Sequence, residues 1–75
     1  MLNITKNYNG IDCTFHKIGN LIVNPNQIIA SVWSYKDEAS EQNGEDYINE
    51  TIFTFDPTEI DKENLISDLY NRITL

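Results

Sequence analysis

A chain of 75 residues holds one domain, because a second hydrophobic core would not fit. Five Lys and Arg stand against twelve Asp and Glu, a formal net charge of -7, and a net anion is a poor general binder of nucleic-acid phosphates. A single Cys excludes an internal disulfide framework, and no apolar run approaches the roughly 20 residues that cross a bilayer.

Leu2, Ile4, Lys6 and Tyr8 alternate with Asn3, Thr5 and Asn7, the period-two pattern of a strand over residues 2–8. Asn9-Gly10 follows, a hairpin-turn dipeptide whose members both tolerate positive φ. Ile11, Cys13 and Phe15 then alternate with Asp12, Thr14 and His16, a second strand over 11–18 that Gly19-Asn20 ends. Leu21-Ile22-Val23 reads as a short extension or edge segment, closed by Asn24-Pro25-Asn26 because Pro25 lacks a donor and pushes Asn24 out of the α region. Residues 27–35 are largely apolar on both faces, so that strand lies in the centre of a sheet or has one face against a helix and the other against a neighbour.

Residues 36–46 are polar, hold Asn43-Gly44 and read as an exposed mobile loop, part of which has room for a short helical turn. A strand over 47–55 follows, with Tyr47, Thr51, Phe53 and Phe55 on one face and Ile48, Glu50, Ile52 and Thr54 on the other. Asp56, Pro57 and Glu59 announce a helix over 57–73, with a competing start at Thr58. Leu65, Ile66, Leu69, Tyr70 and Ile73 form its apolar stripe, and Asp68 and Arg72 form an i,i+4 pair. The expected architecture is α+β: a small antiparallel meander of about four strands with one C-terminal helix packed on one face, the two-layer minimum.

Below about 70–80 residues one core rarely supplies more than about 3–5 kcal/mol, so small domains usually carry a staple. With one Cys and no zinc-ligand cluster, the staple left is self-association or docking on a larger protein. Charge is uneven: residues 1–36 hold Lys6, Lys17 and Lys36 against Asp12, while eleven of the twelve acids lie in 37–75. The N-terminus lacks the apolar stretch of a secretory signal, so secretion by a signal peptide is not expected.

Few residues invite chemistry. Cys13 and His16 are a thiol and a base, but an odd spacing on a strand points them to opposite faces. Cys13 then packs as a small core residue and His16 sits at the surface or an edge. A lone His cannot complete a metal site, which needs three or four ligands. Residues 39–50 place Glu41, Asn43, Gly44 and Glu50 in the register of a calcium loop, but its first position is Ala39 and the flanks are strands. Glu50 is the one acid on a predicted strand flanked by apolar residues, at an edge or solvent-facing position. Three isolated Gly make no phosphate loop, so no catalytic residue, metal or other cofactor is expected. Trp33 and Tyr35 share one face of the central strand: they belong to the core, or, if the helix covers the opposite face, they mark a partner interface.

Three blocks together resemble small proteins encoded in the structural-gene region of tailed bacteriophages. They are Cys13-Thr14-Phe15-His16-Lys17-Ile18, then Val32-Trp33-Ser34-Tyr35-Lys36-Asp37 running into Glu38-Ala39-Ser40, and then Ile52-Phe53-Thr54-Phe55 ahead of a short helix with Leu69-Tyr70. The resemblance implies a β-rich subunit without catalytic residues, in or near a head–tail or tail assembly. It identifies no individual binding residue. The expected role is a virion structural or assembly protein, docked in several copies on phage proteins or on itself, in the virion or the host cytoplasm. A phage-encoded inhibitor is the rival, its acidic stretch 37–63 occupying the basic channel of a host or defence nucleic-acid-binding protein.

Overall fold

The computed structural model describes residues 2–75. Asn9 and Gly10 take φ of 55° and 85°, the left-handed pair that a two-residue hairpin turn requires. They join β1 (Lys6–Tyr8) to β2 (Ile11–Cys13), with Tyr8 opposite Ile11. Asn7 braces the turn by accepting from the Gly10 N–H at 3.1 Å and donating to Asp12 at 3.0 Å. The hairpin is shorter than the expected strands over 2–8 and 11–18. Pairing stops at Thr14, whose N–H and hydroxyl both donate to the Lys36 carbonyl, at 3.1 and 2.8 Å. From Phe15 onward the chain belongs to a second sheet.

That sheet has the antiparallel order β3-β4-β5, formed by β3 (Phe15–Val23), β4 (Ile28–Tyr35) and β5 (Asn49–Phe55). The expected central strand is central: β4 is paired with β3 on one side and β5 on the other. The expected break at Gly19-Asn20 is instead a β-bulge between Ile18 and Asn20, and Leu21–Val23 continues β3. The Trp33 ring fills the space into which a Cβ at Gly19 would project, so glycine lets the two meet. β5 begins at Asn49, two residues later than the pattern implied.

The polar segment 36–46 is half helical. In α1 (Glu38–Gln42) the Asp37 carboxylate caps the Ser40 N–H at 2.8 Å, and this bond holds Asp37 below the usual carboxylate range. Glu41 ties the helix to β3 through Lys17 at 3.2 Å.

The helix expected over 57–73 is broken. Pro57–Glu59 and Lys62–Asn64 are single 3₁₀ turns, and only α2 (Leu65–Arg72) is α-helical. Asp56 does cap the first turn, accepting from the Thr58 N–H at 3.0 Å, and Asp61 caps the second through the Glu63 N–H at 3.0 Å. Between them Ile60 is extended, at φ -102° and ψ 134°, and is buried. Burial of Ile60 outweighs helical continuity: the chain unwinds to put that side chain into the core. Asp68 accepts from the Asp61 N–H at 2.9 Å and pairs with Arg72 at 3.1 Å, which lowers its pKa, the backbone bond contributing most.

Residues directly opposite each other in an antiparallel pair share a face. One face of the sheet therefore carries Ile28, Ala30, Val32 and Ser34 of β4, with Leu21, Ile18 and His16 of β3 and Phe55 and Phe53 of β5. Ile28, Ile60 and Leu69 form the core there, packed against Ile18, Leu21, Phe55 and Leu65. The α+β architecture with a C-terminal helix on one face is as expected, while the strands among the described residues number five in two sheets rather than about four in one meander. Ile66, expected on the apolar stripe, is 49% exposed. No helix among the described residues is long and apolar enough to cross a membrane.

Gly19→Ala is expected to cost about 1–3 kcal/mol in urea unfolding, through overlap with Trp33. Most of that cost should vanish in a Trp33→Ala background. Equal costs in both backgrounds would show that the bulge conformation, and not the ring, demands glycine.

Candidate interaction surface

The face of the sheet opposite α2 carries Phe15, Lys17, Asn20 and Ile22 of β3, Ile29, Ser31, Trp33 and Tyr35 of β4, and Glu50, Ile52 and Thr54 of β5. Its two ends differ. Beside α1, Phe15 and Tyr35 pack with ring centroids 6.2 Å apart, and the Lys17 ammonium lies 5.8 Å over the Tyr35 ring on its way to Glu41. Tyr35 is only 6% exposed. As an interface residue it is corrected: it does lie opposite the helix, but Phe15 and Lys17 pack on it, and it belongs to the core.

Trp33 is different. It is half-buried and held on three sides. Gly19 backs it, Tyr47 stacks on it at 4.9 Å with 19° between the planes, and its indole N–H donates to Glu50 at 2.9 Å. Tyr47 was expected inside the strand, on the face of Thr51 and Phe53. It precedes β5 and joins the opposite face, where it is exposed. Beyond this pair the face is open: Ile22 is exposed, Ile29 half-buried, and Ile52 is 61% exposed. An aromatic anchor with fixed orientation beside exposed Ile residues has the make-up of a protein-binding surface.

The remaining candidates are dispersed by the fold. His16 was expected at the surface and is fully buried. It lies on β3 opposite Ser34, on the helix-bearing face, where the N-terminal segment and hairpin cover it. Its Nε2 is 2.9 Å from the Ile4 carbonyl and its Nδ1 is 2.7 Å from the Ser34 hydroxyl. A carbonyl only accepts, so Nε2 carries a proton, and in the neutral ring Nδ1 accepts from Ser34. Tyr8 meets the ring edge-on at 6.4 Å. The Ser34–His16 contact has the distance of a nucleophile and base, but both side chains are at 0% exposure and reach no solvent. The pair works as a clasp on the N-terminal segment, and Leu2 adds reciprocal backbone bonds to His16 at 2.9 and 3.0 Å.

Cys13 is buried at the end of β2, before the break at Thr14, so it and His16 sit in different sheets. Burial, and secondarily the Asp12 charge, push its thiol above the ordinary 9.0. In the segment 39–50, Glu41 is engaged with Lys17, Asn43 ends α1, and Glu50 holds the Trp33 indole. Among the described residues no group of three or more His, Cys, Asp or Glu is arranged to hold a metal ion, and there is no pocket. Comparison with family models, with curated proteins and with solved structures finds no match for the chain.

Ser34→Ala removes the donor to Nδ1 and leaves a buried ring nitrogen unpaired, so an expected loss of about 1–3 kcal/mol should appear in urea melts. Faster exchange of the Leu2 and His16 amides should accompany it if the clasp holds the N-terminal segment. Cys13 sets a second expectation. Its folded pKa is raised, so its effect is absent below the unfolded value near 9.0. Stability is then lost as pH rises above that value, where only the unfolded chain readily forms thiolate. Cys13→Ala should flatten the alkaline side of the stability profile; an unchanged slope would exclude the thiol as its source.

Proposed function

We propose that the chain is a non-enzymatic docking subunit, a structural or assembly protein of a tailed-phage particle, bound in several copies to a head–tail or tail component. The observation that carries this reading is the fixed Trp33–Tyr47 pair on the open sheet face, bordered by Ile22, Ile29 and Ile52. A chain this short, with its lone Cys unpaired, gains from covering such a face with another protein. The resemblance to phage structural-region proteins supplies the partner class, and its second block, Val32 to Ser40, includes Trp33 and the first three residues of α1. The site of action on this reading is the virion or the host cytoplasm.

The test is capture of purified particle components by the tagged chain, compared with variants of the open face. Tyr47→Ala and Ile52→Ala alter exposed side chains, so the fold should persist in circular dichroism. Binding to a head–tail or tail protein should fall by about tenfold or more, the size expected of an anchor residue. Capture of a basic nucleic-acid enzyme instead, lost by about 0.5 M salt where the screening length is a few Å, would overturn the assembly reading in favour of an acidic inhibitor.

A further inference from the structure

The two edges of the three-stranded sheet are treated differently. Along β3, Leu2 bridges His16, Gly19 bulges, and the Tyr70 hydroxyl accepts the Ile18 N–H at 2.8 Å. These are three of the ways by which a strand edge is closed to further pairing. β5 has none of them. Its register with β4 runs unbroken from Asn49 to Phe55, it has no Pro or Lys, and no other strand among the described residues pairs with it. Its one charge, Glu50, is turned to the Trp33 indole.

We infer that β5 is the self-association edge of this protein, pairing antiparallel with β5 of a second copy about a two-fold axis at Ile52. This deepens the docking reading, on which it rests only for the need for several copies. The register follows from the strand itself. Full-length pairing of Asn49–Phe55 with its own copy sets Ile52 opposite Ile52, Thr51 opposite Phe53, Glu50 opposite Thr54 and Asn49 opposite Phe55. The most exposed large apolar side chain among the described residues, Ile52 at 61%, then meets its own copy.

The charges also fit. Glu50 faces a hydroxyl rather than its own copy, and the two Glu50 residues stand about four residues apart along the strands, roughly 14 Å. That exceeds the screening length of about 8 Å at physiological salt, so the only like charges within the paired strands interact weakly. A two-fold axis normal to the sheet keeps each face on its own side. Both copies of α2 then lie beneath one six-stranded sheet, and both Trp33–Tyr47 pairs lie on one continuous upper face. A larger partner is thereby offered two anchors at once.

The experiment is analytical ultracentrifugation of the intact chain up to about 1 mM, a range that detects weak dimers. The expected result is a monomer–dimer equilibrium that tightens as salt rises, because both partners carry a charge of -7. Ile52→Lys places two ammonium groups opposite each other and should weaken the dimer by about tenfold or more. Thr54→Lys sets a cation opposite each Glu50 of the other copy and should tighten it by about threefold or more. A monomer at every concentration overturns the proposal, as does an Ile52→Lys dimer of unchanged affinity or a Thr54→Lys dimer that is weaker. A monomer that still binds a particle component sinks the pairing and leaves the docking reading standing. A dimer that binds no such component supports the pairing and sinks the docking reading.

Discussion

Strand β4 is hydrogen-bonded along both edges and packed on both faces, and the other elements are placed by what its side chains require. Ile28, Ala30, Val32 and Ser34 face α2 and the N-terminal segment, and all are buried. Ile29, Ser31, Trp33 and Tyr35 face the other way, where a chain of this length has no second full helix to cover them. A parallel-sheet protein would sandwich such a strand between helices. Here the second face is covered piecemeal, by Phe15 and Lys17 at the Tyr35 end and by Tyr47 over Trp33.

That piecemeal cover explains the local irregularities. Gly19 bulges because Trp33 needs room at the sheet surface. The helix breaks at Ile60 because an uninterrupted helix would forgo burying that side chain beside Ile28 and Leu69. In each case tertiary burial overrides local propensity, and the small core leaves little to spare. The polar groups that these breaks expose are taken up by side chains. Asp37, Asp56, Asp61 and Asp68 each accept a backbone N–H at a turn or helix start. Four of the eleven acids of the second half therefore serve as caps, and capping keeps the Asp37, Asp56 and Asp68 carboxylates ionised.

Two unfinished surfaces remain, the open face around Trp33 and the outer edge of β5. They meet at Glu50 and Ile52, which belong to the edge strand and to the open face at once. One surface suits side-chain recognition by a larger protein, the other suits backbone pairing. A subunit that repeats on an assembly needs both kinds of contact, one to the scaffold and one to its neighbour.

How much was legible in the sequence divides along the range of the forces involved. The Asn9-Gly10 turn, the central place of residues 28–35, the Asp56 cap and the Asp68–Arg72 pair depend on neighbours within a few residues, and they were readable as such. The same holds for the α+β class, because period-two and period-3.6 patterns are local records of which face is buried. His16 read as a surface residue because its partners, Ser34 and Ile4, lie 18 and 12 positions away and meet it only through strand register and N-terminal docking. Tyr35 left core or interface open because the choice turned on which sheet face the C-terminal helix covers, and Phe15 and Lys17 bury it on the other face. Tyr47 was assigned to the wrong face because it leaves the strand to stack on Trp33. By itself the sequence determined the elements, the turns and the central strand, since those follow from short-range geometry. Only the tertiary structure decided which polar groups are buried, which aromatic is exposed and which sheet edge is left unpaired, since each depends on contacts between residues distant in the chain.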